Sequence, residues 1–350
     1  MLASAGAAFA AAGWECHILS TGDQVGSFAP ILERAGYVSH HIPFAKSLAF
    51  FATVRGLIAR GGFDVVHIHS ERAFLIYAAL AAPSARVVRT VHGVFPFTGL
   101  LRLRKILERW SCVRLLGVRF IAPSLSVQRN ERVRFFLTAS LCRNWYDDRR
   151  FVAPSDQQRA IARASLGYGP DDLVVASVGT YIPLKNHDAI LDALALLPDD
   201  RRPRYLHAGK DVDPSTGRSL VRKAQQVGLE GQLRCLGEGD VLPCLWAADI
   251  FLMPSDREGV GIAAIEAMAA GVPAILSNRP GLADFAAVAS AIRYCEPEPS
   301  AIAHQIAALA ALSEAERRDI GLELAAAMRS AYRIESGVRG YLGVYEQITA

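Results

Sequence analysis

Lysine is scarce in this chain. Only five lysines occur among 38 basic residues (Lys46, Lys105, Lys185, Lys210 and Lys223), so a lysine at a special place stands out. Strong charge of either sign is also missing. The formal net charge is +4 against 34 acidic residues, far from the dense basicity of a nucleic-acid coat, and no nucleic-acid partner is expected. The six cysteines (Cys16, Cys112, Cys142, Cys235, Cys244, Cys295) form no C-x-x-C pair. That excludes the usual zinc and dithiol motifs and fits a reducing compartment. No apolar run reaches the ~18–20 residues that span a bilayer. The apolar residues 1–12 have no basic residue before them, and the first arginine is Arg34. They read as a helix rather than a secretory signal. Internal repeats and low-complexity tracts are absent.

Apolar material is plentiful. Of 350 residues, 51% are hydrophobic, which suits a large core, and the length favours two domains. Short β-branched runs alternate with longer Ala/Leu-rich segments. Strands are expected at 15–20, 37–43, 65–69, 87–91 and 119–123 in the first half. The second half repeats the rhythm at 173–179, 204–209, 232–237, 250–254, 273–277 and 291–295. Helical patterns fall between, including 45–59 and 100–112, and residues 300–348 are helical almost throughout. Such alternation predicts two doubly wound α/β halves with parallel sheets, each taking ligands at the C-terminal edge of its strands. The polar stretch 146–157 is the linker. The chain opens with a helix, whereas a doubly wound half normally opens with a central strand and a glycine-rich loop. Either the true start lies upstream, or the first sheet is incomplete.

The most informative stretch is 250–275, IFLMPSDREGVGIAAIEAMAAGVPAI. A buried strand ends at Pro254. A polar loop leads through Glu258 to Gly259, Val260 and Gly261, and a helix follows as far as Gly271. Free amides and the positive end of the helix dipole make such a turn an anion site. Glu266, eight residues after Glu258, stands in an Ala-rich helix and is expected to meet a polar partner. A carboxylate repels a pyrophosphate but accepts hydrogen bonds from vicinal hydroxyls.

The whole string, PS-x-x-EG-x-G-x-x-x-x-EAMA-x-G-x-P, resembles the signature of retaining, nucleotide-sugar-dependent glycosyltransferases of family 4 (group 1). Other segments agree. Residues 179–186 (GTYIPLKN) resemble the family's loop after the first strand of the second domain. Thr180 stands where the family usually carries arginine. Asp249 with Pro254 and Ser255 matches the strand leading into the motif, and 236–241 (LGEGDV) the loop beside the nucleobase. Residues 63–69 (FDVVHIH), 90–93 (TVHG) and 122–124 (APS) resemble strand ends of the first domain. Residues 144–151 (NWYDDRRF) resemble the joining element, with Trp145 in place of glycine.

The resemblance implies a GT-B fold, two Rossmann-like domains whose parallel sheets face a central cleft. Residues 1–150, joined by a terminal helix 334–350, would be the acceptor side, and 151–333 the nucleotide-sugar domain. It implies that Lys185, Gly179 and the amides of Gly259, Val260 and Gly261 hold the donor diphosphate, that Glu266 holds the ribose, and that Glu258 orients the sugar. His92 would meet the donor sugar or phosphate. Glu258, His92 and Lys185 are thus the expected catalytic residues. No cofactor or metal is expected, the nucleoside-diphosphate sugar being a co-substrate. The acceptor would be a glycan or lipid-linked molecule in cell-surface polysaccharide or glycolipid assembly. The sugar, the nucleobase and the oligomeric state lie beyond these motifs.

Three features keep bland readings beside the sharp ones. His67 and His69 share a strand face, but no third ligand has helpful spacing, so they read as strand histidines. Asp211, Val212 and Asp213 form a D-x-D, read as a turn. Residues 101–150 carry twelve basic residues against four acidic. They form either an ordinary solvated face or a contact with anionic lipid, aided by Phe95, Phe97, Leu100, Leu101, Trp110 and Leu115. The latter places a cytoplasmic protein peripherally on the inner face of the membrane. Two other functions stay open. Gly259 to Ala264 fits G-x-G-x-x-A, which suits an NAD(P)-dependent oxidoreductase, although Asn278 and Arg279 stand where that fingerprint wants an acid. A truncated or inactive glycosyltransferase homologue is the other.

Overall fold

A computed structural model describes residues 1–26, 28–213 and 216–350. The chain divides into two compact units, Met1–Trp145 with Ile334–Ala350, and Tyr146–Arg333.

The first unit opens with α1 (Leu2–Ala11), β1 (His17–Ser20), α2 (Ala29–Arg34), β2 (Val38–His41) and α3 (Leu48–Gly61). It continues with β3 (Val65–Ile68), α4 (Phe74–Ala81), β4 (Arg86–Thr90), α5 (Gly99–Leu116), β5 (Arg119–Ala122), α6 (Leu125–Phe135) and β6 (Ser140–Leu141). Strands β3-β4-β5-β6 form one parallel sheet, and β1 and β2 pair separately, also in parallel. Strand β6 was not expected. It has two residues, too few for any periodicity to register. Alternate residues of each strand face opposite layers. Val87 joins the core under α3 to α6, whereas Val88 joins one built with α1 and the chain's last helix. That core explains Trp145. Its indole N–H donates to the Met1 carbonyl at 2.9 Å. Gly337 lies so close that a Cβ there would stand 2.5 Å from the indole ring.

The second unit contains α7 (Asp156–Ser165), β7 (Val174–Val178), α8 (His187–Ala195), β8 (Arg204–Ala208), α9 (Leu220–Gln226) and β9 (Leu233–Cys235). After these come α10 (Leu242–Ala247), β10 (Ile250–Met253), α11 (Ile262–Ala269), β11 (Ala274–Ser277), β12 (Arg293–Cys295), α12 (Pro299–Ala310) and α13 (Glu314–Tyr332). The last helix, α14 (Ile334–Thr349), returns to the first unit. The sheet order is β12-β11-β10-β7-β8-β9, with every pair parallel. Strand β10 is buried throughout, as a strand covered on both faces must be. Phe251 and Met253 face a core shared with α7, α10, α11 and α13, and Ile250 and Leu252 face the core under α8, α9 and α12.

This order fixes where a ligand can sit. From β7 the chain winds outward through β8 and β9, then returns to β10 and winds the other way. At that reversal the loops after β7 and β10 leave the sheet side by side, the place where doubly wound sheets take their ligands. The sheet has a buried anchor at its opposite edge. Asp249, just before β10, accepts from Arg159 at 2.6 Å, from Arg163 at 3.2 Å and from the Val174 amide at 2.8 Å. One buried carboxylate thus ties α7 and β7 to β10.

Candidate functional site

The loop after β7 begins at Gly179, whose φ of 144° glycine tolerates far better than any other residue. Gly209, just past β8, packs against it, and a Cβ there would lie 2.2 Å from the Gly179 carbonyl oxygen. The loop then makes a 3₁₀ turn, Pro183–Lys185, before α8. Beneath it Ser177 gathers three buried side chains: the Tyr205 hydroxyl at 2.7 Å, His207 Nδ1 at 3.0 Å and His187 Nδ1 at 3.3 Å. Burial holds both histidines well below the ordinary imidazole range, so this floor is uncharged.

The loop after β10 approaches the first one from the other side of the reversal. The Asp256 amide donates to the Leu184 carbonyl at 3.0 Å. Lys185 Nζ donates to Glu258 Oε1 at 2.6 Å, and both side chains are mostly shielded from solvent. The Glu258 amide in turn donates to the Pro280 carbonyl at 2.9 Å. Gly281, at φ 90°, makes this contact possible, because a Cβ there would lie 2.2 Å from the Glu258 carbonyl oxygen. Gly259 and Val260 lead to Gly261, the N-cap of α11 at φ 75°, where no side chain caps the helix. No side chain competes for the first-turn amides, of which Ala264 already donates to the Gly261 carbonyl at 2.9 Å, and such a helix start attracts anions. Glu266 is half-buried in α11 and has no side-chain partner among the described residues. Burial pushes its carboxyl up to about 7. A group in that state is stabilised by any ligand that donates hydrogen bonds to its ionised form.

The structure thus brings Lys185, Glu258, Gly179 and the Gly259, Val260 and Gly261 turn to one switch point. His92 belongs to the other unit, just beyond β4. Its Nε2 lies 2.8 Å from His69 Nδ1. Sequence reasoning missed that partner. The two-residue spacing of His67 and His69 was visible, but the adjacency of β3 and β4 was needed to join His69 to His92. It also missed Gly281, for which no motif gave a signal. In the D-x-D segment Val212 bridges Ser219 and Asp213 accepts from the Thr216 hydroxyl at 2.7 Å, while Pro214 and Ser215 lie outside the described residues. Among the described residues no group of three or more His, Cys, Asp or Glu side chains is placed to hold a metal ion. Asn278 and Arg279, at the end of β11, both bond Glu296.

Residues 2–146 match the Glycosyltransferase Family 4 model, and residues 158–322 match Glycosyl transferases group 1. The chain belongs to the group 1 glycosyltransferases. A D-inositol 3-phosphate glycosyltransferase from Mycobacterium sp. (strain KMS) is 37% identical over 129 residues. That match covers 35% of this chain but spans only 29% of the curated relative. A glycosyltransferase from Rickettsia africae ESF-5 superposes with a TM-score of 0.84 at 17% identity, covering 99% of this chain and 93% of that one. HepE of Anabaena, solved in complex with UDP and glucose, superposes with a TM-score of 0.80 at 18% identity, covering 95% and 91%. Within this GT-B glycosyltransferase fold, parallel sheets in two α/β domains, the pairing of Lys185 with Glu258 falls at the reversal of the second sheet.

Proposed function

We propose that this protein transfers a sugar from a nucleoside-diphosphate sugar to a glycan or lipid-linked acceptor, with retention of anomeric configuration and without a metal ion. One observation carries the reading: a cation, a carboxylate and an uncapped helix start converge at the strand-order reversal of a doubly wound sheet. Family membership and the UDP held by a neighbour of the same fold support it.

In this reading Lys185 and the amides of Gly259, Val260 and Gly261 take the diphosphate, with the backbone of Gly179 at its side. Glu266 accepts the ribose hydroxyls, and Glu258 orients the sugar. His92 supplies a polar contact from the first domain. As the bond to the anomeric carbon breaks, negative charge grows on the leaving phosphate. A fixed ammonium and aligned amides stabilise that charge without reorganising. The Lys185–Glu258 bond holds the ammonium in place before the donor arrives, so it need not be recruited from solvent.

The acceptor side supports a lipid-linked substrate. Helix α5 exposes Leu100, Leu103, Leu107 and Trp110 at helical spacing, with Leu100 85% exposed. Arg104, Arg114, Arg129 and Arg132 are exposed on α5 and α6. Apolar side chains ringed by arginines suit the surface of an anionic membrane, where each basic group contributes about 1 kcal/mol. No helix among the described residues is long and apolar enough to cross a membrane.

A donor panel of UDP- and GDP-sugars, scored by released nucleotide, tests the activity. The anomeric configuration of the product, read by NMR, tests retention.

A further inference from the structure

Three histidines gather at the C-terminal edge of the four-stranded sheet in the first unit. His69 directly follows β3, and His92 lies just beyond the adjacent parallel strand β4. His69 Nδ1 and His92 Nε2 are 2.8 Å apart. His67 stacks on His69, with ring centroids 4.2 Å apart. Both nitrogens of His67 are occupied, Nδ1 by the Tyr345 hydroxyl at 2.6 Å and Nε2 by the Thr90 hydroxyl at 2.8 Å. Tyr345 lies on α14, so the returning helix anchors the stack from behind.

The bond between His69 and His92 decides what His92 can offer a ligand. Its Nε2 is engaged, which leaves Nδ1. A neutral imidazole carries one ring proton, so two bonded neutral rings hold one proton in the bridge and one outside it. The two outward nitrogens, His69 Nε2 and His92 Nδ1, are therefore always one donor and one acceptor. Exchanging those roles with both rings neutral takes two proton movements. The bridging proton crosses to one ring, while the outer proton leaves that ring for the outward nitrogen of the other by way of solvent; the crossing alone would leave an imidazolium beside an imidazolate. Neutrality is favoured here. Both side chains are exposed on one side, and desolvation by the protein packed on the other still disfavours their charged forms. That desolvation, with His92 and Arg89 nearby, lowers His69 to about 4, and desolvation with Arg89 lowers His92.

We infer that His69 is a positioning residue: it holds His92 through Nε2 and makes Nδ1 the ring nitrogen that meets the ligand. This deepens the proposed role of His92 and rests on it. Two variants separate the hydrogen bond from the stacking. His69→Phe keeps a ring against His67 and loses the bond. His69→Asn restores a polar atom where Nδ1 stood.

Long-range proton–nitrogen NMR of the full-length protein, labelled at histidine, reads the tautomer of His92 directly. The His92 Nε2 signal is expected to shift in His69→Phe and to return toward wild type in His69→Asn. Nucleotide release from the best donor of the panel is expected to fall about tenfold in His69→Phe, and to stay within about threefold of wild type in His69→Asn. Adding His69→Phe to His92→Ala should cost nothing further. An unmoved His92 Nε2 signal in His69→Phe, or losses that multiply in the double variant, overturns the positioning role. Unchanged release in His92→Ala alone overturns the ligand contact of His92, while the NMR signal still decides the hydrogen bond separately.

Discussion

Lys185 donates to Glu258 across the reversal of the second sheet, at 2.6 Å and over 73 residues of sequence. The pair is mostly shielded, so each charge depends on the other in the ligand-free protein. A bound diphosphate would give Lys185 a second, stronger partner. Glu258→Gln is therefore expected to keep or improve UDP affinity while turnover falls ~100-fold. Lys185→Ala should weaken UDP about tenfold or more, the loss of a hydrogen bond between charged groups. Calorimetric titration of UDP with each variant, beside steady-state release, checks both.

Glu266 couples stability to pH. Its carboxyl titrates near 7 in the folded protein against a usual 4.5. Between those values the folded state holds a proton that the unfolded chain has released. Stability contributed by that proton is present at pH 5 and is lost as pH rises through 7. Glu266→Gln should remove this dependence. Its melting temperature is expected to exceed that of wild type at pH 8 and to converge with it at pH 5, while UDP binding weakens. Parallel melting curves at all pH values would contradict the assignment.

Asp249 is expected to be structural rather than catalytic. It pins two arginines and the Val174 amide at the buried start of β10. Asp249→Ala leaves those cations without their acceptor and should cost about 3–5 kcal/mol. Denaturant unfolding measures the cost.

Gly281 is where backbone contact meets function. A Cβ at this position would stand 2.2 Å from the Glu258 carbonyl, and φ is already 90°. Gly281→Ala must push the Glu258 loop aside, at a cost of about 1–3 kcal/mol. Donor turnover should fall more than stability suggests, because a small displacement of a reacting contact is magnified in rate.

Much of this site could be read from the chain before its folding was known. Strands β7 and β10 are short apolar runs bounded by Gly179 and Pro254, and Lys185, Glu258 and Glu266 stand in strings that resemble a known signature. Their pairing could not be read, because it depends on the sheet order that sets β7 beside β10. His69 was passed over for the same reason, since a two-residue spacing says nothing of the neighbouring strand. Strand β6 and the contact of Gly281 with Glu258 leave no periodic or compositional trace at all.

The exposed face of α5 gives a separate expectation. Replacing Leu103, Leu107 and Trp110 together with serine should reduce co-sedimentation with phosphatidylglycerol vesicles at least about tenfold, given ~1.5–3 kcal/mol for each large apolar side chain buried. Folding, read by melting, should hardly change, since these residues are already exposed. Equal sedimentation of wild type and variant would remove the membrane from the proposal.

The most direct measurement is titration of UDP and GDP into the full-length protein, wild type and the double variant Lys185→Ala with Glu266→Gln. One nucleoside diphosphate is expected to bind wild type at one site per chain and to lose that binding in the double variant. Failure of both nucleotides to bind, or binding that the double variant keeps undiminished, would contradict a donor site between the loops after β7 and β10.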